Sequence, residues 1–194
     1  MEWQHVNVKV FVDGELPFDP SRFINVFHQW IQESALPELL IDVADYCHVP
    51  GGPGVLLVAH EADYSMDNTD DRWGLRYNRK APLAGSNEDR LRQALSAAAG
   101  ACCRLEQECA GDRPLRFSRT EFEVFINDRA LAPSTPDVLS AFQSELRDCL
   151  IRLLGHSEFS LKGPPDPRRR VGATVTAARP IDLEAMQTTV RPKA

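Results

Sequence analysis

Long apolar runs are missing from this chain. No stretch approaches the ~20 consecutive apolar residues that cross a bilayer as a helix, so no membrane partner is expected. Met1-Glu2-Trp3-Gln4-His5 holds no basic stretch leading into an apolar core. No secretory leader is therefore expected, and the chain is read as cytoplasmic. The motifs of several common chemistries are also missing: there is no Gly-x-Ser-x-Gly elbow, no Walker lysine loop and no His-Glu-x-x-His helix. Positive charge is in deficit, with 22 Lys and Arg against 28 Asp and Glu for a net charge of -6, which argues against a nucleic-acid binder. Cysteine is sparse and odd in number: five thiols suit a reducing compartment better than a disulfide framework. Cys102 and Cys103 are adjacent, and on a helix their side chains diverge by about 100°. Cys102 and Cys109 share an apolar stripe with leucines, so core thiols are expected rather than ligands.

The 194 residues are 43% hydrophobic and 26% charged, as in an ordinary soluble globular protein. A chain of this length buries roughly two-thirds of its unfolded surface and needs no metal or disulfide staple. His5 to Val12 alternates, with Val6, Val8, Val10 and Val12 on one face and Asn7, Lys9 and Phe11 on the other, which reads as a half-buried strand. Asp19 and Pro20 open a helix carrying Phe23, Phe27, Trp30 and Ile31 on one stripe, with Phe18 and Phe23 at the staple positions. Leu39 to Lys80 reads as a meander of three antiparallel strands: Leu39–His48, Val55–Tyr64 and Arg72–Lys80. The breaks are Pro50-Gly51-Gly52-Pro53-Gly54 and Asp67-Asn68-Thr69-Asp70-Asp71.

Ser86 and Asp89 then form a capping box for a second helix, striped by Leu91, Leu95, Ala98, Cys102, Leu105 and Cys109 and closed by Gly111. Leu115–Phe117 and Glu121–Asn127 form a hairpin turning at Ser118-Arg119-Thr120. Thr135-Pro136-Asp137 opens a third helix that Gly155 stops. Phe159–Lys162 and Val171–Thr176 make a last hairpin around a proline-rich loop. The element order is β-α-βββ-α-ββ-α-ββ, and short hairpins make the sheet mainly antiparallel, giving an α+β fold with three helices packed on one face. One domain over residues 1–177 is expected, with a division near 82–86 as the alternative. Residues 178–194 lack a pattern and read as a mobile tail.

The polar residues of the meander are the first functional candidates. Placing Pro50 to Gly54 in the loop sets Val49 opposite Val55, and Asp42 and His60 become diagonal neighbours roughly 7–8 Å apart at Cα. A carboxylate beside an imidazole prepares a general base, which would make His60 and Asp42 a catalytic pair. Tyr46, His48 and Tyr64 share that face, and Trp73 and Tyr77 of the third strand join it as ligand-binding candidates. The simpler reading is a half-buried His60 satisfied by Asp42. A one-residue slip would separate the two.

His48 and His60 lie roughly 13 Å apart along the strands, too far for one zinc ion whose ligands sit about 2 Å away. No metal and no cofactor are expected. The Asp63 to Asp71 turn reads as solvated, and the glycine-rich loop leads to a strand rather than to a helix that would cradle phosphate. Arg168-Arg169-Arg170, with Arg79 at the end of the meander, offers bidentate contacts to a phosphate, a carboxylate or an acidic partner. The leading expectation is an intracellular binding or accessory protein without catalysis, using the polar-aromatic face of the 39–80 meander, with the arginine loops as a further contact, to hold a small anionic ligand or a protein partner. The alternatives are a hydrolase or lyase using His60 and Asp42, and a homo-oligomeric structural protein with an exposed edge strand.

Overall fold

In the computed structural model, which describes residues 1–188, the chain runs β1 (Val6–Val12), α1 (Arg22–Glu33), β2 (Leu40–Tyr46), β3 (Gly54–Ala59), β4 (Ala62–Asp67), β5 (Gly74–Arg79) and α2 (Asn87–Glu108). It continues through β6 (Phe117–Ile126), α3 (Pro136–Leu154), β7 (Phe159–Lys162), β8 (Gly172–Ala177) and α4 (Leu183–Thr188). The strands form one antiparallel sheet in the order β2-β3-β4-β5-β1-β6-β8-β7. The N-terminal strand β1 thus joins the meander to the strands of the second half.

The helices pack on one face. Directly opposed residues Leu57, Tyr64, Tyr77, Val8, Val124 and Ala173 cross six strands on that face, all buried. α1 covers β2 and β3 with Phe23, Phe27 and Trp30, α2 covers β5 and β1, and α3 reaches β8. The helix starts follow the sequence: Ser86 and Asp89 form both bonds of the capping box, and the Thr135 hydroxyl accepts the Val138 N–H before Pro136. Gly155 ends α3 in the left-handed conformation. Among the described residues no helix is long and apolar enough to cross a membrane.

Four local expectations differ from the structure. The segment Val55–Tyr64 is two strands, because the chain reverses at His60-Glu61, where the Glu61 carbonyl accepts the N–H groups of Lys80 and Ala81. That turn holds no Gly, Pro or Asn, so the sequence gives no punctuation there. Ser118-Arg119-Thr120 does not turn either: β6 runs through it as one strand, since the Ser118 hydroxyl accepts the Thr120 and Glu121 N–H groups and the pairing with β1 shifts by a bulge. β1 is buried on both faces rather than one. From residue 178 onward, Ile181 and Leu183 are buried and α4 packs on α2. Residues 189–194, the rest of the tail, lie outside the described residues.

The glycine-rich loop is a strand connection whose end is sterically fixed. Gly54 has φ +62°, and a Cβ there would lie 2.0 Å from the Met66 carbonyl oxygen and 3.0 Å from the Trp73 ring. The close approach that glycine permits is taken up by the chain itself. Gly54→Ala is expected to lose at least roughly 1–3 kcal/mol of unfolding free energy from backbone strain, before the clash is added. Urea denaturation measures this, and an unchanged midpoint would refute the close packing.

Candidate functional site

The reversal at His60-Glu61 decides where the candidate residues go. It pairs Leu57 with Tyr64, so Tyr64 and its neighbour Tyr77 face the helices instead of the open side of the sheet. Both are fully buried, with rings 5.2 Å apart edge to face. Tyr64 donates to the Glu38 carboxylate at 2.9 Å, and the Gln93 amide donates to the Tyr77 oxygen at 2.9 Å. Burial, and then the Glu38 charge, pushes the Tyr64 phenol well above its ordinary value, and burial pushes Tyr77 up to about 12.

β2 pairs with β3 four residues out of the expected register: Asp42 faces Val58 and Tyr46 faces Gly54. Asp42 is exposed and accepts the Val43 N–H, while His60 sits exposed in the turn with its N–H on the Leu39 carbonyl. Among the described residues no hydrogen bond or ion pair joins His60 to Asp42, so the two do not form an acid-base unit. Tyr46 and His48 are exposed at the far end of β2, their rings stacked 6.4 Å apart. Trp73 is half-buried against Gly54. Among the described residues no group of three His, Cys, Asp or Glu side chains is placed to share a metal ion.

Besides a cavity of about 440 Å³ beside Trp73, two cavities that collect the charged candidates are to be weighed. The larger, about 740 Å³, lies between α2 and the β3–β4 turn and collects His60, Tyr64 and Arg79. Its charges are already satisfied: Arg79 donates to the Ala81 carbonyl at 2.8 Å and pairs with Glu61 at 2.9 Å, and Arg104 pairs with Glu33 and Glu108. The smaller, about 300 Å³, opens on the sheet face away from the helices and is rimmed by the loop between β7 and β8.

The floor of this smaller cavity is a row of directly opposed residues: Arg76, Lys9, Glu123 and Thr174. Lys9 is 1% exposed and donates to the Asp67 carboxylate at 2.7 Å and the Thr69 carbonyl at 3.2 Å. Asp67, 0% exposed, also pairs with Arg76 at 2.8 Å and accepts from the Thr69 N–H and hydroxyl. The acidic turn is therefore not simply solvated, because its first residue anchors the centre of the sheet. Burial pulls the Lys9 amine below its ordinary value against the opposing pull of Asp67. Phe125 lies beside the row, with Arg76 at 5.4 Å and Arg170 at 5.9 Å from its ring centroid. Gly172 opposite is required, since a Cβ there would come within 2.5 Å of the Phe125 Cβ.

The arginine loop closes the rim. Arg169 makes a bidentate pair with Asp70, whose backbone is left-handed at φ 64°, and so ties the β7–β8 loop to the turn between β4 and β5. Arg168 turns back onto Asp166 at 2.9 Å, and Arg129 donates to the Arg168 carbonyl at 2.8 Å. Arg72 pairs with Glu121 and stacks 3.7 Å over Phe11. Arg170 has no carboxylate partner among the described residues; burial and the charges of Arg76 and Arg129 hold it below its ordinary value. The Arg76 Nε is buried without a partner. Seven basic side chains line this cavity against three acidic ones, so it is locally positive on an acidic protein.

Of this cavity's lining, sequence reasoning names Arg168, Arg169 and Arg170 as candidates and passes over Lys9, Arg76 and Glu123. The available signal is a lysine in the middle of a valine-rich strand. Glu123 accepts no hydrogen bond and forms no ion pair among the described residues. Burial raises its carboxyl above 4.5 in spite of Arg76 and Lys9. A raised folded value means that stability is fully present below pH 4.5 and is lost as the pH rises through the folded pKa. Glu123→Gln is therefore expected to be more stable than the parent at pH 7.5, with the gain vanishing below pH 4.5. Urea midpoints across that range check this, and a pH-independent difference would contradict it. Comparison with protein-family models, curated proteins and solved structures finds no match for this chain, so the reading of the site rests on its own geometry.

Proposed function

We propose that this chain is a non-catalytic binding protein that takes a small anion into the arginine-rimmed cavity on the open face of its sheet. One observation carries this reading: Arg170 and the Arg76 Nε line one cavity without acidic partners among the described residues, whereas Lys9, Arg72, Arg168 and Arg169 beside them are each ion-paired and Arg76 meets Asp67 only through its terminal nitrogen. The Arg76 Nε is a buried donor without an acceptor, a cost of about 1–3 kcal/mol that a bound anion removes, while Arg170 is an exposed guanidinium free to reach it. Guanidinium groups match phosphate and carboxylate oxygens in bidentate fashion. The volume of about 300 Å³ is at the lower end for small-molecule sites, which favours a compact ligand. The larger cavity offers more room but no unpaired charge. The hydrolase or lyase alternative needs His60 and Asp42 in contact, and nothing in their positions supports it.

Inorganic phosphate and pyrophosphate are expected to stabilise the protein. At a hundredfold excess over Kd the gain is about 2.7 kcal/mol, or roughly 5–10 °C in Tm for a chain of this size. Arg170→Ala should remove most of that shift. No shift with phosphate, pyrophosphate or dicarboxylates in low-salt buffer would reject the reading.

A second reading rests on a separate observation. β2 is a sheet edge, and it leaves Leu39 and Ile41 69% and 54% exposed. Paired edges in a homodimer would cover them. Light scattering should then give twice the chain mass, reduced to one by Ile41→Lys. A monomer at high concentration would eliminate this alternative.

A further inference from the structure

A site for a bare anion has no use for Glu123. Its carboxylate lines the same cavity, and it stands directly opposite Lys9 in the strand pairing. Cross-strand neighbours of opposite charge ordinarily pair. Here they do not, because the Lys9 amine is turned to Asp67 at 2.7 Å. Arg76 goes to the same Asp67, Arg169 to Asp70 and Arg72 to Glu121. These cations are committed elsewhere, Arg170 makes no contact with the carboxylate, and Glu123 is left as an acceptor without a donor among the described residues.

We propose that the ligand is a small zwitterion, whose anionic group is held by Arg170 and Arg76 and whose ammonium group is held by Glu123. This inference rests on the anion-site reading above and names the class of ligand. The chemistry is complementary: an ammonium carries three donors and no acceptor, and an ionised carboxylate only accepts. A bare anion would place its charge near Glu123 without a cation of its own, so its binding would favour proton uptake by Glu123. A zwitterion brings its own counter-charge, and the cavity then holds no unpaired carboxylate. Glu123 would thus discriminate among anions by the cation they carry, through repulsion of the wrong ligand as much as attraction of the right one. The anionic group is a phosphate or a carboxylate, since guanidinium accepts either.

Two matched pairs of probes separate these sources: O-phosphoethanolamine against ethyl phosphate, and γ-aminobutyrate against butyrate. Calorimetric titration at pH 7.5 is expected to give the aminated member at least about tenfold tighter binding in one of the pairs. In Glu123→Gln, which keeps the side-chain shape, the preference should shrink to about twofold while the deaminated member binds as well or better. Titration in buffers of different ionisation enthalpy should show proton uptake with the deaminated anion and none with its aminated partner. That readout uses the unaltered protein and stands even if the variant misfolds. Equal affinities within both pairs, or a preference unchanged in Glu123→Gln, would overturn the inference while leaving the anion site intact. Failure of every anion, pyrophosphate included, would instead remove the site itself and this inference with it.

Discussion

The open face of this sheet depends on one buried carboxylate. Asp67 has no access to solvent and gathers four donors: the Lys9 amine, the Arg76 guanidinium, and the Thr69 N–H and hydroxyl. These come from β1, β5 and the turn after β4, so the carboxylate fastens three segments at the middle of an eight-stranded sheet. An ion pair so placed adds little stability compared with apolar packing, but removing one partner strands the others at a cost of about 3–5 kcal/mol. Its effect is therefore one of specification. Lys9 can lie inside the sheet only while Asp67 is there, and Arg76 is aimed only while Lys9 holds the carboxylate in place. With its central cations committed, the face presents a fixed charge pattern to whatever enters the cavity.

That arrangement explains why the two faces behave so differently. On the helix side, apolar and aromatic residues from every central strand meet α1, α2 and α3, and the tyrosine hydroxyls that reach this layer find Glu38 and Gln93. On the other side no helix among the described residues covers the sheet. β1 is nevertheless buried there, by arginine stems and by the proline-rich loop that Arg169 ties down to Asp70. Long cationic side chains cover apolar surface while keeping their heads polar, which lets Phe11 and Phe125 lie beneath arginines. Charged groups thus form a second lid on the sheet, with a gap in it.

Much of the architecture is legible in the sequence because its signals are local. Ser86 with Asp89, Thr135 with Pro136, and Gly155 each mark a helix end through chemistry within four residues, and the alternation of Val6, Val8 and Val10 marks the core face of β1. The errors arise where a turn uses residues with no turn preference. His60-Glu61 reverses the chain by hydrogen bonds to Leu39 and to the end of β5, which are tertiary partners. Missing that reversal moves Tyr64 to the wrong face, and the expected aromatic surface dissolves. The opposite error at Ser118-Arg119-Thr120 comes from residues that favour turns but settle into a bulge. The arginine run is visible as a run, but its partner Asp70 is 99 residues away and Lys9 lies 58 residues from Asp67. No window of local sequence contains such pairs.

The two cavities carry a further lesson about what distinguishes a site from a space. By volume alone the groove beside α2 is the stronger candidate, and it also collects the residues that sequence reasoning prefers. Yet its ionised groups have partners within the protein, so filling it with a charged ligand would first break bonds already made. The smaller cavity is the reverse case. Arg170, the Arg76 Nε and the Glu123 carboxylate stand near one another with opposite signs and no mutual contact. Folding alone would favour closing these groups onto each other or exchanging them for neutral ones, because burial penalises the Arg76 Nε and the Glu123 carboxylate and neither has a partner among the described residues. Their persistence in a sheet that elsewhere satisfies its charges is the pattern of a place where stability is given up for recognition. The decisive quantity is thus the number of charges the fold leaves unanswered at one spot, and by that measure the gap in the polar lid outranks the larger groove.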